Sequence, residues 1–353
     1  MELILKIVAG VVLGGLIFIL LGYFLIKFLF WRLKRNVTNA LDEFKKFSEV
    51  GAGTMIQTDI DLARNDDAEL SADAQAAVDE FHGEGFDHAG VYDAGGGMMK
   101  LVLFARPSDS VWGAVTIAAI TGPVKDVVSH HADGQWTTHT SNKDLGFKEL
   151  DGITKVRVPD STVANLLSRH LAERPEGEYQ PATTENVVEA IKLAVRDEGL
   201  LRAWRGGIDD SEVQKNLQAV GDDTDEGQAA FAAMMARGQA ISALDEAFAT
   251  AFRETTTLPV ARWEEIEDRL RIVHPLSNSE QLGQALYGDD ADDNAFEENP
   301  GGETMVRRFV KANNALPPDK KLEHVGPVEI RAAHKLLRAE VFVEREWDDD
   351  ESD

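Results

Sequence analysis

The chain has 353 residues, of which 43% are hydrophobic, and these values are typical of a folded protein with one or two cores. Its net charge of −26 argues against nonspecific binding to nucleic acid, which requires cations that neutralise phosphates. The lack of cysteine excludes disulfides, thiolate nucleophiles and cysteine-ligated metal sites.

The first predicted element is a membrane span at residues 7–26, IVAGVVLGGLIFILLGYFLI, which contain no charge. Twenty helical residues extend roughly 30 Å, the thickness of the hydrocarbon layer of a bilayer. A cleaved signal peptide is the alternative, but the run ends in FLFWRLKR, which offers no small-residue cleavage site. We therefore expect a retained single-pass anchor over residues 1–31.

The charges that flank this span predict its orientation. Arg32, Lys34 and Arg35 follow it, whereas Lys6 alone among lysines and arginines precedes it. Because basic residues favour the cytoplasmic side, we expect the N-terminus outside the cell (inner) membrane and the body in the cytoplasm. The three basic residues would then contact lipid headgroups. The acidic composition of the body is consistent with a location in water. Adaptation to a salt-rich habitat is an alternative explanation of this composition.

Two glycines inside the span, Gly10 and Gly14, have the GxxxG spacing that lets two membrane helices approach closely. They indicate a homodimer formed through the anchor. The alternative is that glycine is simply common in membrane spans.

Residues 32–70 are expected to form a basic amphipathic stalk followed by a linker. An apolar stripe recurs every three or four residues, as on a helix, at Leu33, Val37, Leu41 and Phe44. The stripe would suit the membrane surface, a second copy of the chain or a plain helical stalk. Residues 51–70 show no sustained period.

Residues 71–174 predict an α+β domain with an antiparallel sheet. Ser71 is a plausible N-cap for a helix from Ala72 to Phe81, and Gly83 a plausible end. A period of two then marks five strands and a possible sixth, at residues 88–94, 98–105, 111–119, 124–131, 135–141 and 153–158. Short turn sequences separate the first five, so we expect a meander covered by helices on one face.

The C-terminal part predicts a mainly helical domain over residues 182–345 and a disordered acidic tail over 346–353. A helix preceding this domain would be capped by Asp160 or Ser161. Apolar residues at helical spacing form four stripes, which begin at Val187, Phe231, Val260 and Ile330, and each is expected to face a core.

The stretch VVSHHADGQWTTHTSN, residues 127–142, carries three of the nine histidines. A two-residue Asp133-Gly134 turn would place Val128 opposite His139 and Asp126 opposite Ser141. His130, His139 and Asp126 would then share one face and could bind a metal ion. The alternative, which we favour, is that all three histidines are ordinary strand residues.

Other catalytic patterns are weaker. A triad of Ser129, His131 and Asp133 lacks the strained turn that exposes a serine nucleophile, and neighbouring strand residues are poorly placed for it. Neither HExxH nor a P-loop occurs, and no cofactor is expected.

The sequence as a whole predicts a membrane-tethered, non-enzymatic binding or scaffolding protein. Its expected partners are the lipid bilayer and other proteins, but not nucleic acid. Two alternatives stay open: a membrane-anchored metal-dependent enzyme that uses His130, His139 and Asp126, and a substrate-binding protein that faces the periplasm.

Overall fold

The computed structural model describes residues 58–97, 99–118, 122–143, 147–219, 226–288 and 304–345. Outside these ranges lie the predicted span, the basic part of the stalk and the acidic tail, and with them Gly10, Gly14, Arg32, Lys34 and Arg35. Within the described ranges, no helix combines the length and apolar character needed to cross a membrane. These ranges all belong to one compact unit.

A seven-stranded sheet forms the first half of this unit, with its strands in chain order. They are β1 (Leu62–Arg64), β2 (Asp87–Ala94), β3 (Met99–Arg106), β4 (Val111–Ala118), β5 (Val124–His130), β6 (Trp136–Thr140) and β7 (Ile153–Arg157). Neighbours from β1 to β6 are antiparallel, which confirms the predicted α+β class with an antiparallel sheet.

The last strand departs from the predicted meander, because β7 runs parallel to β6. A parallel neighbour requires a connection that returns to the starting end of the strand, usually about a dozen residues long. Residues 141–152 provide such a connection. At the other edge, β1 lies in the stretch that had been predicted to be a linker.

Two helices, α1 (Ala72–Gly83) and α2 (Val163–Glu173), cover one face of the sheet. The Ser71 hydroxyl accepts a hydrogen bond from the N–H of Ala74, as predicted for a cap. The cap of α2 is instead Thr162, one residue after the predicted Ser161. Phe81 fits closely because position 113 is glycine, where a Cβ would overlap its ring.

Six further helices are described in the remainder of the chain: α3 (Val187–Trp204), α4 (Asp210–Ala219), α5 (Glu226–Thr255), α6 (Val260–Ile266), α7 (Ser279–Tyr287) and α8 (Met305–Ala315). The second face of the sheet contributes Leu103 and Trp112 to a core that also contains Leu200 of α3 and Phe248 of α5. This core therefore joins the regions 71–174 and 182–345, which the sequence had suggested as separate modules.

A second sheet, which the sequence did not predict, lies among the helices of the C-terminal region. Its strands are β8 (Leu270–Val273), β9 (Glu323–Ala332) and β10 (Lys335–Val343), in the antiparallel order β8–β10–β9.

The helical spacing of Ile330, Ala333, Leu337 and Val341 was misleading. All four are buried, but they lie on a hairpin whose two-residue turn, Ala333 and His334, changes the phase of the alternation. The third stripe was misread in part, since α6 ends at Ile266 and the chain continues into β8.

The turn of the second sheet packs against the first sheet at two glycines. Gly134, in the β5–β6 loop, has φ of +96°, and a Cβ there would lie 2.6 Å from the carbonyl oxygen of Ala333. Gly152 has φ of +87°, and a Cβ there would overlap the His334 ring. Both positions require glycine for its backbone conformation and for its lack of a side chain.

We predict that Gly134→Ala lowers the free energy of unfolding by roughly 2–4 kcal/mol, because it adds a backbone clash to the cost of a positive φ. Gly96→Ala is the matched control, since Gly96 has φ of +67° but nothing within 4 Å of the added Cβ. It should cost only about 1–2 kcal/mol. Equal losses in urea denaturation would contradict the proposed contact.

Candidate functional site

The β5–β6 hairpin is closed by a three-residue loop rather than the predicted two-residue turn. The N–H of His131 donates to the carbonyl of Gln135 at 2.8 Å, and the N–H of Gly134 donates to the carbonyl of His131 at 3.0 Å. The extra loop residue shifts the register by one, so that His139 lies opposite Val127.

This shift corrects the predicted metal site. His130 pairs with Trp136 and shares a face with Asp126, whereas His139 lies on the opposite face, toward α2. A register shift of one residue places a side chain on the other face of the sheet. The three residues therefore cannot bind one ion. Among the described residues, no group of three His, Asp or Glu side chains is arranged to hold a metal.

His130 is instead part of the core between the sheets. Its ring stacks on Trp136 with centroids 3.9 Å apart, and the Trp136 indole donates to Asp197 at 2.9 Å. Burial lowers the pKa of His130 and raises the pKa of Asp197. Burial likewise raises the pKa of the half-buried Asp126.

The opposite face carries a chain of four hydrogen-bonded side chains beneath α2, which we call the Ser–His–His–Glu chain. Ser129 Oγ lies 2.7 Å from His170 Nε2. His170 Nδ1 lies 3.1 Å from His139 Nδ1, and His139 Nε2 lies 3.1 Å from Glu173 Oε2.

The partners assign the hydrogens in this chain. A hydrogen bond from Arg169 and then one from His139 lower the pKa of Glu173, so its carboxylate accepts from His139 Nε2. With one hydrogen on each ring, His139 accepts at Nδ1 from His170, and His170 Nε2 accepts from the Ser129 hydroxyl. Each of the three hydrogen bonds then has one donor and one acceptor.

This order of serine, imidazole and carboxylate resembles that of a hydrolase triad, but it is closed to substrate. Ser129, His139 and His170 are each fully buried. Arg174 also holds the serine, donating to Ser129 Oγ at 3.1 Å and to the carbonyl of Asp109 at 2.9 Å. The Ser–His–His–Glu chain is therefore part of the interior rather than an accessible catalytic centre.

His170 and Glu173 were not among the site residues predicted from the sequence. The helical period of α2 does indicate His170, which follows Val163, Leu166 and Leu167 on the buried face. That spacing places the histidine against the sheet, but only the register of β5 and β6 determines which strand residues it meets.

A solvent-open cleft of about 500 Å³ lies between α5, α6, β8 and α7. Ile272 and Leu282 contribute buried apolar surface. Charged lining residues are Asp245, Glu246, Arg253, Glu267, Asp268 and Arg271. This volume lies within the range of small-molecule and peptide-anchor pockets.

Part of this charge is engaged within the protein. His274 Nε2 lies 3.1 Å from Asp245, and the Trp263 indole donates to Glu267 at 2.7 Å. Arg271 donates to Glu344 at 2.6 Å. By contrast, Glu246 and Asp268 are exposed and have no ion pair within the described part of the chain.

The wall of the cleft also holds an aromatic ring, Trp263, that is in contact with a cation of the same chain. The guanidinium of Arg253 lies 5.6 Å from the centre of the Trp263 ring. The cleft therefore combines an internal cation–π pair with two exposed carboxylates that have no ion pair within the described residues.

Comparison with protein-family profiles, curated proteins and solved structures gave no match to this chain.

We predict that His170 makes the protein less stable in acid. Burial lowers its pKa from 6.5 to about 3, so its stabilising effect is complete above pH 6.5 and is lost as the pH falls toward 3. Between pH 7.5 and 5 this amounts to about 2 kcal/mol.

Chemical denaturation of His170→Gln at pH 7.5 and 5 should show a correspondingly smaller difference than the wild type. His82→Gln, which alters an exposed histidine, should leave that difference unchanged. A wild-type pH dependence in His170→Gln would refute this role of the buried imidazole.

Proposed function

We propose that the protein is a membrane-tethered binding or scaffolding component without a catalytic role. The observation that carries this proposal is the contrast between the two polar sites. The cleft is open and has exposed charges, whereas Ser129 and both histidines of the Ser–His–His–Glu chain are sealed from solvent. Binding requires an accessible surface, and the cleft supplies one.

The lining of the cleft favours a partner with positive charge. Glu246 and Asp268 offer exposed carboxylates that are not neutralised by a described cation. A lysine or arginine side chain of another protein would pair with these carboxylates, with its aliphatic part against the apolar surface. Other proteins are therefore the proposed partners, together with the bilayer itself.

The membrane tether in this proposal comes from the sequence. The uncharged residues 7–26 are long enough to span a bilayer, and Arg32, Lys34 and Arg35 follow them. We propose that the chain crosses the cell (inner) membrane once, with the N-terminus outside and the body in the cytoplasm. Gly10 and Gly14 would support homodimerisation within the membrane.

The two alternatives have unequal support. A metal-dependent enzyme that uses His130, His139 and Asp126 has less support, because the strand register places His139 on the other face of the sheet from His130 and Asp126. A substrate-binding protein that faces the periplasm would use the same cleft, so only the topology distinguishes it from the main proposal.

We predict that a partner recovered with the full-length protein from solubilised membranes depends on the cleft. Glu246→Lys combined with Asp268→Lys reverses the two unpaired charges and should abolish co-purification. Asp79→Lys combined with Asp87→Lys is the matched control, because these exposed acids lie on α1 and β2, away from the cleft.

Partner retention by the control variant and loss from the cleft variant would support the proposal. Recovery of the protein alone, or retention of the partner by the cleft variant, would count against it.

We predict that green fluorescent protein fused to the C-terminus is fluorescent and that alkaline phosphatase fused there is inactive. The reason is that the basic residues after the span favour a cytoplasmic body. Replacing Arg32, Lys34 and Arg35 with glutamine should weaken this orientation. An active phosphatase on the unmodified chain would reverse the assigned topology and favour the periplasmic alternative.

A further inference from the structure

The Ser129 hydroxyl has two acceptors within reach, although it carries one hydrogen. His170 Nε2 lies 2.7 Å from its oxygen, and the carbonyl oxygen of Ser110 lies 3.3 Å away. Arg174 donates to the same oxygen at 3.1 Å. Ser129 can therefore donate to either side while it continues to accept from Arg174.

The hydrogen between the two imidazoles also has two possible positions. His170 Nδ1 and His139 Nδ1 are 3.1 Å apart, so one hydrogen lies between them and either ring can carry it. If His139 carries it, then His170 must accept at Nδ1, and a proton from outside the pair must occupy His170 Nε2, facing Ser129.

We propose that the Ser–His–His–Glu chain takes up one proton by reversing the direction of its hydrogen bonds and so acts as a pH-responsive element. The hydrogen between the rings passes from His170 to His139, and the proton taken from solvent ends on His170 Nε2. Ser129 keeps its hydrogen and turns it to the carbonyl of Ser110. No hydrogen bond is lost, and the bond to Ser110 is gained.

The charged groups next to the Ser–His–His–Glu chain determine which of the two histidine rings carries the positive charge after proton uptake. The carboxylate of Glu173 contacts His139, whereas Arg174 lies at the other end beside Ser129. The charge is therefore stable on His139 and unfavourable on His170. Burial, followed by repulsion from His139, also lowers the pKa of His170 to about 3, which keeps this ring neutral.

Other charged groups that face the pair act in the same sense. His131, the residue after β5, is a further repulsive neighbour of His170. Arg169 holds Glu173 in place at 2.8 Å. Toward α1, the ion pair between Glu80 and Lys125 lies at the opposite end of α2, where Glu80 accepts the N–H of Val163.

A second proton would have no place in this geometry. Both Nδ1 atoms would then carry hydrogens and face each other at 3.1 Å, and two buried cations would lie in contact. The chain thus has two complete states that differ by one proton. This inference does not depend on the proposed binding function.

The test is nitrogen NMR of the full-length protein in detergent micelles, with ¹⁵N-labelled histidine, titrated from pH 8 to 5. Signals are assigned by their loss in His139→Gln and His170→Gln. We expect His139 to become doubly protonated while neutral His170 moves its hydrogen from Nδ1 to Nε2, with one shared midpoint. The proposal fails if His170 keeps its Nδ1 hydrogen throughout, or if it takes up the charge itself.

Two surface variants separate this mechanism from ordinary histidine titration. Glu173→Gln removes the countercharge and should lower the shared midpoint by roughly one to two pH units for both rings. Glu176→Gln alters an exposed acid three residues further along and should leave the midpoint unchanged. An unchanged midpoint in Glu173→Gln would overturn the proposal.

Discussion

The hydrogen bond between His131 and Gln135 that closes the β5–β6 loop determines which side chains enter each core. Since strand side chains alternate, it directs Ser129 and His139 toward α2 and Trp136 toward the second sheet. A slip of one residue would exchange these sets and leave polar groups without partners in an apolar interior. The polar chain under α2 and the contact between the sheets therefore both depend on one loop.

The polar groups of the body are distributed in two ways with different consequences. Beneath α2, the polar groups of the Ser–His–His–Glu chain are all hydrogen-bonded within the protein. They therefore stabilise the packing of the helix on the sheet and can respond only to protons. In the cleft, Glu246 and Asp268 remain exposed to solvent, so a partner can still neutralise them. The two polar sites thus lie in different parts of one compact unit and differ in their exposure to solvent.

Local patterns in the sequence predicted the helix capped by Ser71 and the strands from β2 to β6, because period and turn chemistry act over few residues. They failed for β9 and β10, whose turn contains neither Gly nor Asn, and for the loop after His131, which has one residue more than an Asp-Gly turn suggests. The partnership of His139 with His170 depends on register and tertiary packing, which no local pattern contains.

The core shared by the two sheets has a consequence for the synthesis of the protein. Leu103 on β3 and Val341 on β10 belong to the same cluster, although most of the chain separates them. Contacts between such distant residues fold slowly, because a long loop must close before any of them forms. During translation, the first sheet would expose one apolar face until the last strand leaves the ribosome, which makes the nascent body a substrate for chaperones.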